Sequence, residues 1–153
     1  MVPMELWKII IRETSDFQEI WLREKGGQRA FPILIGIVEA AAIDRSIREI
    51  STPRPLTHDL LANIISTLKA QLAYVLISSL HDNTFFSKLV IRQNGSQFEV
   101  DSRPSDAVAM AVRLGSPIYV EEQVLNHVCR QQGEGEQGKS GASDDGGTSP
   151  SDE

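Results

Sequence analysis

The sequence holds a single cysteine, Cys129. That excludes an intrachain disulfide and any metal site built from several thiolates, and it suits a reducing compartment. Long apolar runs are missing too. The longest mostly apolar stretch, Phe31 to Ile43, already contains Glu39 and falls short of the about 20 residues that cross a bilayer. The segment Met1 to Ile11 lacks a basic region, a long apolar core and a small-residue cleavage site. A cytoplasmic protein with no membrane partner is therefore expected. Aromatic residues make up only 6%. Trp7 and Trp21 fall on predicted strands as core or interface residues, and the basic residues of a single-strand binder do not interleave with them. Lys8, Arg12, Arg23, Lys25 and Arg29 share the first hairpin with Glu5, Glu13, Glu19 and Glu24, the mixture of a solvated face.

A surplus of positive charge is also absent. The formal net charge is −6, and it is unevenly placed. Residues 131–153 carry six acids and one lysine, which leaves residues 1–130 close to neutral. Such a domain has no overall attraction for a phosphate backbone, although a local basic patch remains compatible with it. The tail has no aromatic residue, and Ala142 is its one member of the hydrophobic set. It has too little to bury to offset the entropy of ordering. One folded domain over residues 1–130 and a disordered acidic Gly/Ser-rich tail over 131–153 are expected.

Within the domain the apolar pattern predicts an α+β fold: two three-stranded antiparallel meanders, each followed by helix, in a mixed sheet packed with helices. Strands are predicted over 4–14, 17–24 and 30–35, then helices over 37–48 and 57–68. The second helix carries an apolar stripe of Leu60, Leu61, Ile64, Ile65 and Leu68. Strands follow over 72–80, 84–92 and 96–100, with Asn94-Gly95 a strong type I′ hairpin signal. A helix over 104–114, apolar nearly all round and so expected at the centre, precedes a strand at 118–120 and a terminal helix to about residue 130. The two halves share a plan that internal duplication would give, though their sequence identity is weak.

Two segments carry the polar chemistry: Arg54-Pro55-Leu56-Thr57-His58-Asp59 and Asp101-Ser102-Arg103-Pro104-Ser105-Asp106. Each sets Arg-Pro near a helix start, with a hydroxyl and an aspartate close behind. Proline at the first turn, capping side chains and acids at the positive end of the helix dipole explain this structurally. A site explains it as well. Carboxylates converging from different elements, Asp59, Asp101 and Asp106, can hold a divalent cation such as Mg²⁺ or Mn²⁺ that activates water. Arg54 or Arg103 can clamp a phosphate, aided by helix N–H groups. Asp106 and Arg113, seven residues apart, share a helix face. His58 is a candidate general base or ligand; His81 and His127 lie near no acidic constellation.

The combination of THDL at 57–60, TFF at 84–86, DSRPSDAVAMAVR at 101–113 and PIYV at 117–120, with IVEAAAI at 37–43, resembles the bifunctional nuclease domain family. The likeness spans residues 1–130. It departs at Phe86-Ser87, where relatives carry Tyr-Ala after the phenylalanine. The resemblance implies an α+β domain, often a homo-oligomer, with nuclease activity on DNA and RNA in some members. It carries over Glu39, Thr57, His58, Asp59, Asp101, Arg103, Ser105 and Asp106, without fixing the role of each. With it, catalytic positions are expected at Glu39, His58, Asp59, Asp101 and Asp106, and substrate contacts at Arg54, Arg103 and Ser105, with nucleic acid the partner. The alternative is a non-catalytic oligomeric assembly or regulatory domain whose polar motifs are structural; small-anion binding at the two Arg-Pro helix starts ranks third.

Overall fold

The two hairpin turns show how local sequence sets the frame. Asp82-Asn83 and Asn94-Gly95 all have positive φ (49°, 61°, 49° and 77°), the geometry of the type I′ turn that matches strand twist. The strands they join are β4 (Gln71–His81), β5 (Thr84–Gln93) and β6 (Ser96–Ser102). The first half folds likewise into β1 (Val2–Ile10), β2 (Gln18–Glu24) and β3 (Ala30–Ile35). The computed structural model describes residues 1–137.

A three-residue strand, β7 (Ile118–Val120), fuses the halves into one seven-stranded sheet of order β3-β2-β1-β7-β4-β5-β6. It runs antiparallel to β1 and parallel to β4, with Ile118 between Met4 and Val75 and Val120 between Val2 and Ile77. β1 and β4 therefore run in opposite directions on either side of β7. An approximate two-fold normal to the sheet would relate the two meanders in this way.

β1 stops at Ile10, earlier than the predicted Thr14, because a side chain takes over its backbone partners. Gln18 is buried at 1% exposure; it accepts from the Arg12 N–H and donates to the carbonyls of Arg12 and Ser15. A buried amide needs partners, and Gln18 finds them on the backbone of Arg12 and Ser15, where the ladder would otherwise continue.

Helices α1 (Ile37–Ile47), α2 (Thr57–Thr67), α3 (Pro104–Leu114) and α4 (Glu122–Gln137) complete the described residues. All four contribute to one apolar cluster with the sheet, which contains Met4, Ile20, Leu22, Phe31, Val75 and Ile118. α3 is central as expected: Ser105 and every residue from Ala107 to Ala111 are buried. Pro104 starts it, and Gly115 ends it in the left-handed conformation (φ 66°). α4 continues to Gln137, past residue 130; the remainder of the predicted tail, from 138, lies outside the described residues.

The stripe on α2 behaves differently. Only Ala62 is buried, while Leu60, Leu61, Ile64 and Leu68 are 38–59% exposed. On the sheet, Trp7 and Trp21 meet edge to face at 6.2 Å, with Lys8 Nζ 4.3 Å and 4.8 Å from the two ring centroids. Among the described residues no helix is long and apolar enough to cross a membrane.

Candidate functional site

A cleft of about 1070 Å³ opens among the helices, lined by α1, by α2 with the loop before it, and by both ends of α3. Its chemistry starts from the way α3 begins. Arg103 occupies the cap position in extended conformation (φ −71°, ψ 150°), directly before Pro104. Three residues on, Asp106 sits in the first turn, so the guanidinium can fold back over the helix start. Arg103 Nε donates to Asp106 Oδ2 at 2.8 Å and its Nη2 to Oδ1 at 3.0 Å, a two-point pair.

The remaining guanidinium nitrogen reaches a different helix. Arg103 Nη1 donates to Glu39 Oε1 at 2.9 Å. Glu39 stands at the third position of α1, where its carboxylate also accepts from its own backbone N–H. That backbone bond, followed by Arg103, holds the Glu39 carboxyl below the usual glutamate range. Gly36 makes room for the fold-back, because a Cβ there would collide with Glu39 Oε2.

His58, in the first turn of α2, approaches the same aspartate: its Nε2 lies 3.0 Å from Asp106 Oδ1. Burial pushes the Asp106 carboxyl up, but hydrogen bonds and charge from Arg103 and His58 outweigh it and hold the group below its ordinary value of 3.8. An ionised carboxylate can only accept. The proton of a neutral His58 is therefore on Nε2, and Nδ1 is its basic nitrogen.

A second pair closes the other end of the cleft. Asp59 Oδ2 accepts from the Leu56 N–H at 3.0 Å, capping α2, and its Oδ1 accepts from Arg113 Nε at 2.8 Å. Arg113, then the Leu56 N–H, lower the Asp59 carboxyl from its ordinary value. Arg45 also lines the cleft, and among the described residues it forms no ion pair.

The structure thus gathers Glu39, Thr57, His58, Asp59, Arg103 and Asp106 around one cleft. It leaves the others apart. Asp101 is an exposed residue of β6, paired in register with Lys88, and borders neither this cleft nor the cavity beside it. Arg54 is exposed on the loop before α2 and lines neither space. Ser105 is buried at 6% exposure and lines the neighbouring cavity. Asp59 and Asp106 reach the cleft from α2 and α3, each with an arginine on it, and among the described residues no group of three or more His, Cys, Asp or Glu side chains is placed to hold a metal ion. The ligand set Asp59, Asp101 and Asp106 is not assembled in this arrangement. Burial raises the Cys129 thiol, which disfavours a thiolate nucleophile.

Two cleft arginines were given no role from sequence. Arg113 had a visible signal, the helical face it shares with Asp106. Arg45 had only its position, two helical turns along the same helix from Val38, which also lines the cleft.

The pattern of the bifunctional nuclease domain matches residues 20–132, which include every cleft residue named above. An "Uncharacterized protein" of Mycobacterium tuberculosis is 48% identical over 117 residues, covering 76% of this chain and 70% of its own length. More distant are "Bifunctional nuclease 1" of Oryza sativa subsp. japonica, 24% identical over 118 residues, and "Bifunctional nuclease 2" of the same plant, 26% identical over 118 residues. Each of these alignments covers 74% of this chain and 36% of the rice protein. With its family pattern running through both ends of α3, the cleft-facing starts of α1 and α2, and the strands between them, the chain belongs to the bifunctional nuclease domain family.

Proposed function

We propose that the cleft hydrolyses phosphodiester bonds of DNA and RNA, with His58 as general base and Asp106 as the residue that fixes its tautomer. The observation that carries this reading is the His58–Asp106 contact at 3.0 Å in a cleft that also holds three arginines. In the proposed step, His58 Nδ1 takes a proton from water while the water oxygen attacks phosphorus. The P–O bond to the leaving oxygen breaks, and that oxygen is protonated from solvent. Arg45, unpaired among the described residues, and the outer edges of Arg103 and Arg113 stabilise charge on the phosphoryl oxygens. Water as nucleophile needs no 2′-hydroxyl, so one site serves both nucleic acids.

The test is cleavage of single-stranded RNA and DNA by the purified protein and by His58→Ala, each in Mg²⁺, Mn²⁺ and EDTA. A general base contributes about 10²–10⁴-fold, and a loss in that range from His58→Ala is expected. Equal cleavage by the variant, at the level of a mock purification, would reject the reading. Activity surviving EDTA would separate it from the metal-assisted scheme.

A second reading has its own support. Glu39, Asp59 and Asp106 are all engaged by arginine, as in a polar network that only holds helices together. The exposed Leu60 and Ile64 on α2 and Leu68 at its C-cap, spaced four residues apart, offer a self-association surface for a homo-oligomer. Ile64→Glu is expected to lower the mass seen by light scattering. An unchanged mass would remove this surface from the assembly.

A further inference from the structure

A second cavity, of about 750 Å³, adjoins the cleft, and Glu39 and Arg103 line both. Its walls come from distant parts of the chain: Phe17 before β2, Pro32 and Leu34 on β3, Asn83 and Phe85 at the β4–β5 turn, and Gln132 on α4. Phe85 is held in place by stacking on the fully buried Phe31, with centroids 5.6 Å apart and planes 29° from parallel. Phe17 is 59% exposed.

Mostly apolar walls with a few polar groups are the usual make-up of a ligand site. The polar groups narrow the ligand. Asn83 and Gln132 carry amides, which both donate and accept, as the edge of a heterocyclic base does. The aromatic side chains offer faces for stacking. Arg103, shared with the cleft, places an anion contact next to them. A fatty chain would use neither the amides nor the arginine, and a bare phosphate would leave the apolar walls wet.

We propose that this cavity is a nucleobase pocket, which seats one base of a strand whose phosphate lies in the cleft. The inference rests on the nuclease reading of the cleft. It also fits a site that takes both nucleic acids, because stacking is available to every base and ignores the sugar.

Calorimetric titration with adenosine monophosphate, uridine monophosphate and ribose 5-phosphate tests it on the wild type, Phe17→Ala and Phe17→Leu. Phe17 is exposed, and thermal melts of the variants would establish that they fold. The mononucleotides are expected to bind about tenfold more tightly than ribose 5-phosphate, as one stacked base allows. Phe17→Ala should bring the difference within about twofold, and Phe17→Leu should lose most of it, since leucine keeps the apolar contact but not the stacking face. Equal binding of mononucleotide and ribose 5-phosphate, no binding of the mononucleotides, or a preference that survives Phe17→Ala would overturn the pocket. Base preference without cleavage of RNA or DNA would reject the nuclease reading and leave the pocket standing. Cleavage without base preference would do the reverse.

Discussion

The segments 54–59 and 103–106 share an arginine, a proline, a hydroxyl and an aspartate, yet only one sends its arginine into the cleft. The difference is where the helix starts. After Arg103 the proline is itself the first helical residue, so Asp106 is three residues from the arginine and within reach of its fork. After Arg54 the helix waits until Thr57, with Leu56 at the cap, and Asp59 is five residues away. Asp59 instead caps the Leu56 N–H and takes an arginine from the far end of α3. A shift of two residues in a helix start separates a local pair from one that ties two helices together.

The largest effect should come from breaking the member with its own arginine. Asp106→Asn keeps the shape but removes the charge that sets the His58 tautomer, and cleavage is expected to fall by about 10²-fold or more, read by single-turnover kinetics. Next comes Asp59→Ala, which removes the cap of α2 together with the Arg113 pair. A cap is worth about 0.5–2 kcal/mol, and an exposed pair adds about 0.2–1 kcal/mol, so chemical denaturation should show a loss of about 1–2 kcal/mol.

Gly36→Ala probes the crossing between α1 and α3. The new Cβ would displace the Glu39 carboxylate, and because that group is the end of a flexible chain the cost should be modest, about 0.5–1 kcal/mol, in line with a partly exposed pair. Arg54→Ala should do least. Its side chain meets none of the site, and surface changes of this kind stay within about 0.5 kcal/mol. An effect of Arg54→Ala as large as that of Asp59→Ala would erase the distinction between the two segments.

Acid titration sharpens the same comparison. Glu39, Asp59 and Asp106 all have folded-state pKa values below their ordinary 4.5, 3.8 and 3.8. Their stabilisation is therefore complete above those values and is lost as the pH falls through the lower folded ones. Melting temperature should be flat with respect to these groups near neutrality and decline below about pH 4. In Asp59→Asn and Asp106→Asn the decline should be shallower, since each lacks one of the depressed carboxyls.

Local rules made much of the fold legible. Proline opens α3, its apolar residues place it in the core, and the Asn94-Gly95 turn fixes the last hairpin of the second meander. The join made by β7 was not legible, because three residues cannot say which strands they will lie between. The α2 stripe of Leu60, Ile64 and Leu68 shows where sequence reading stops: periodicity identifies an apolar face, not what covers it. In the site, Asp101 looked like part of the cluster because it lies five residues from Asp106. It belongs to a strand instead, and the strand register sets it beside Lys88 rather than His58. The Asp59–Arg113 pair joins residues 54 apart, and only the folded chain brings them together.

The most direct measurement is single-turnover cleavage of one RNA by the wild type, Asp106→Asn and Asp101→Asn in parallel, with melting curves for all three. A loss of about 10²-fold in Asp106→Asn, with Asp101→Asn close to wild type, is the predicted result. Equal rates in the wild type and Asp106→Asn, or a loss confined to Asp101→Asn, would contradict a site built on His58 and Asp106.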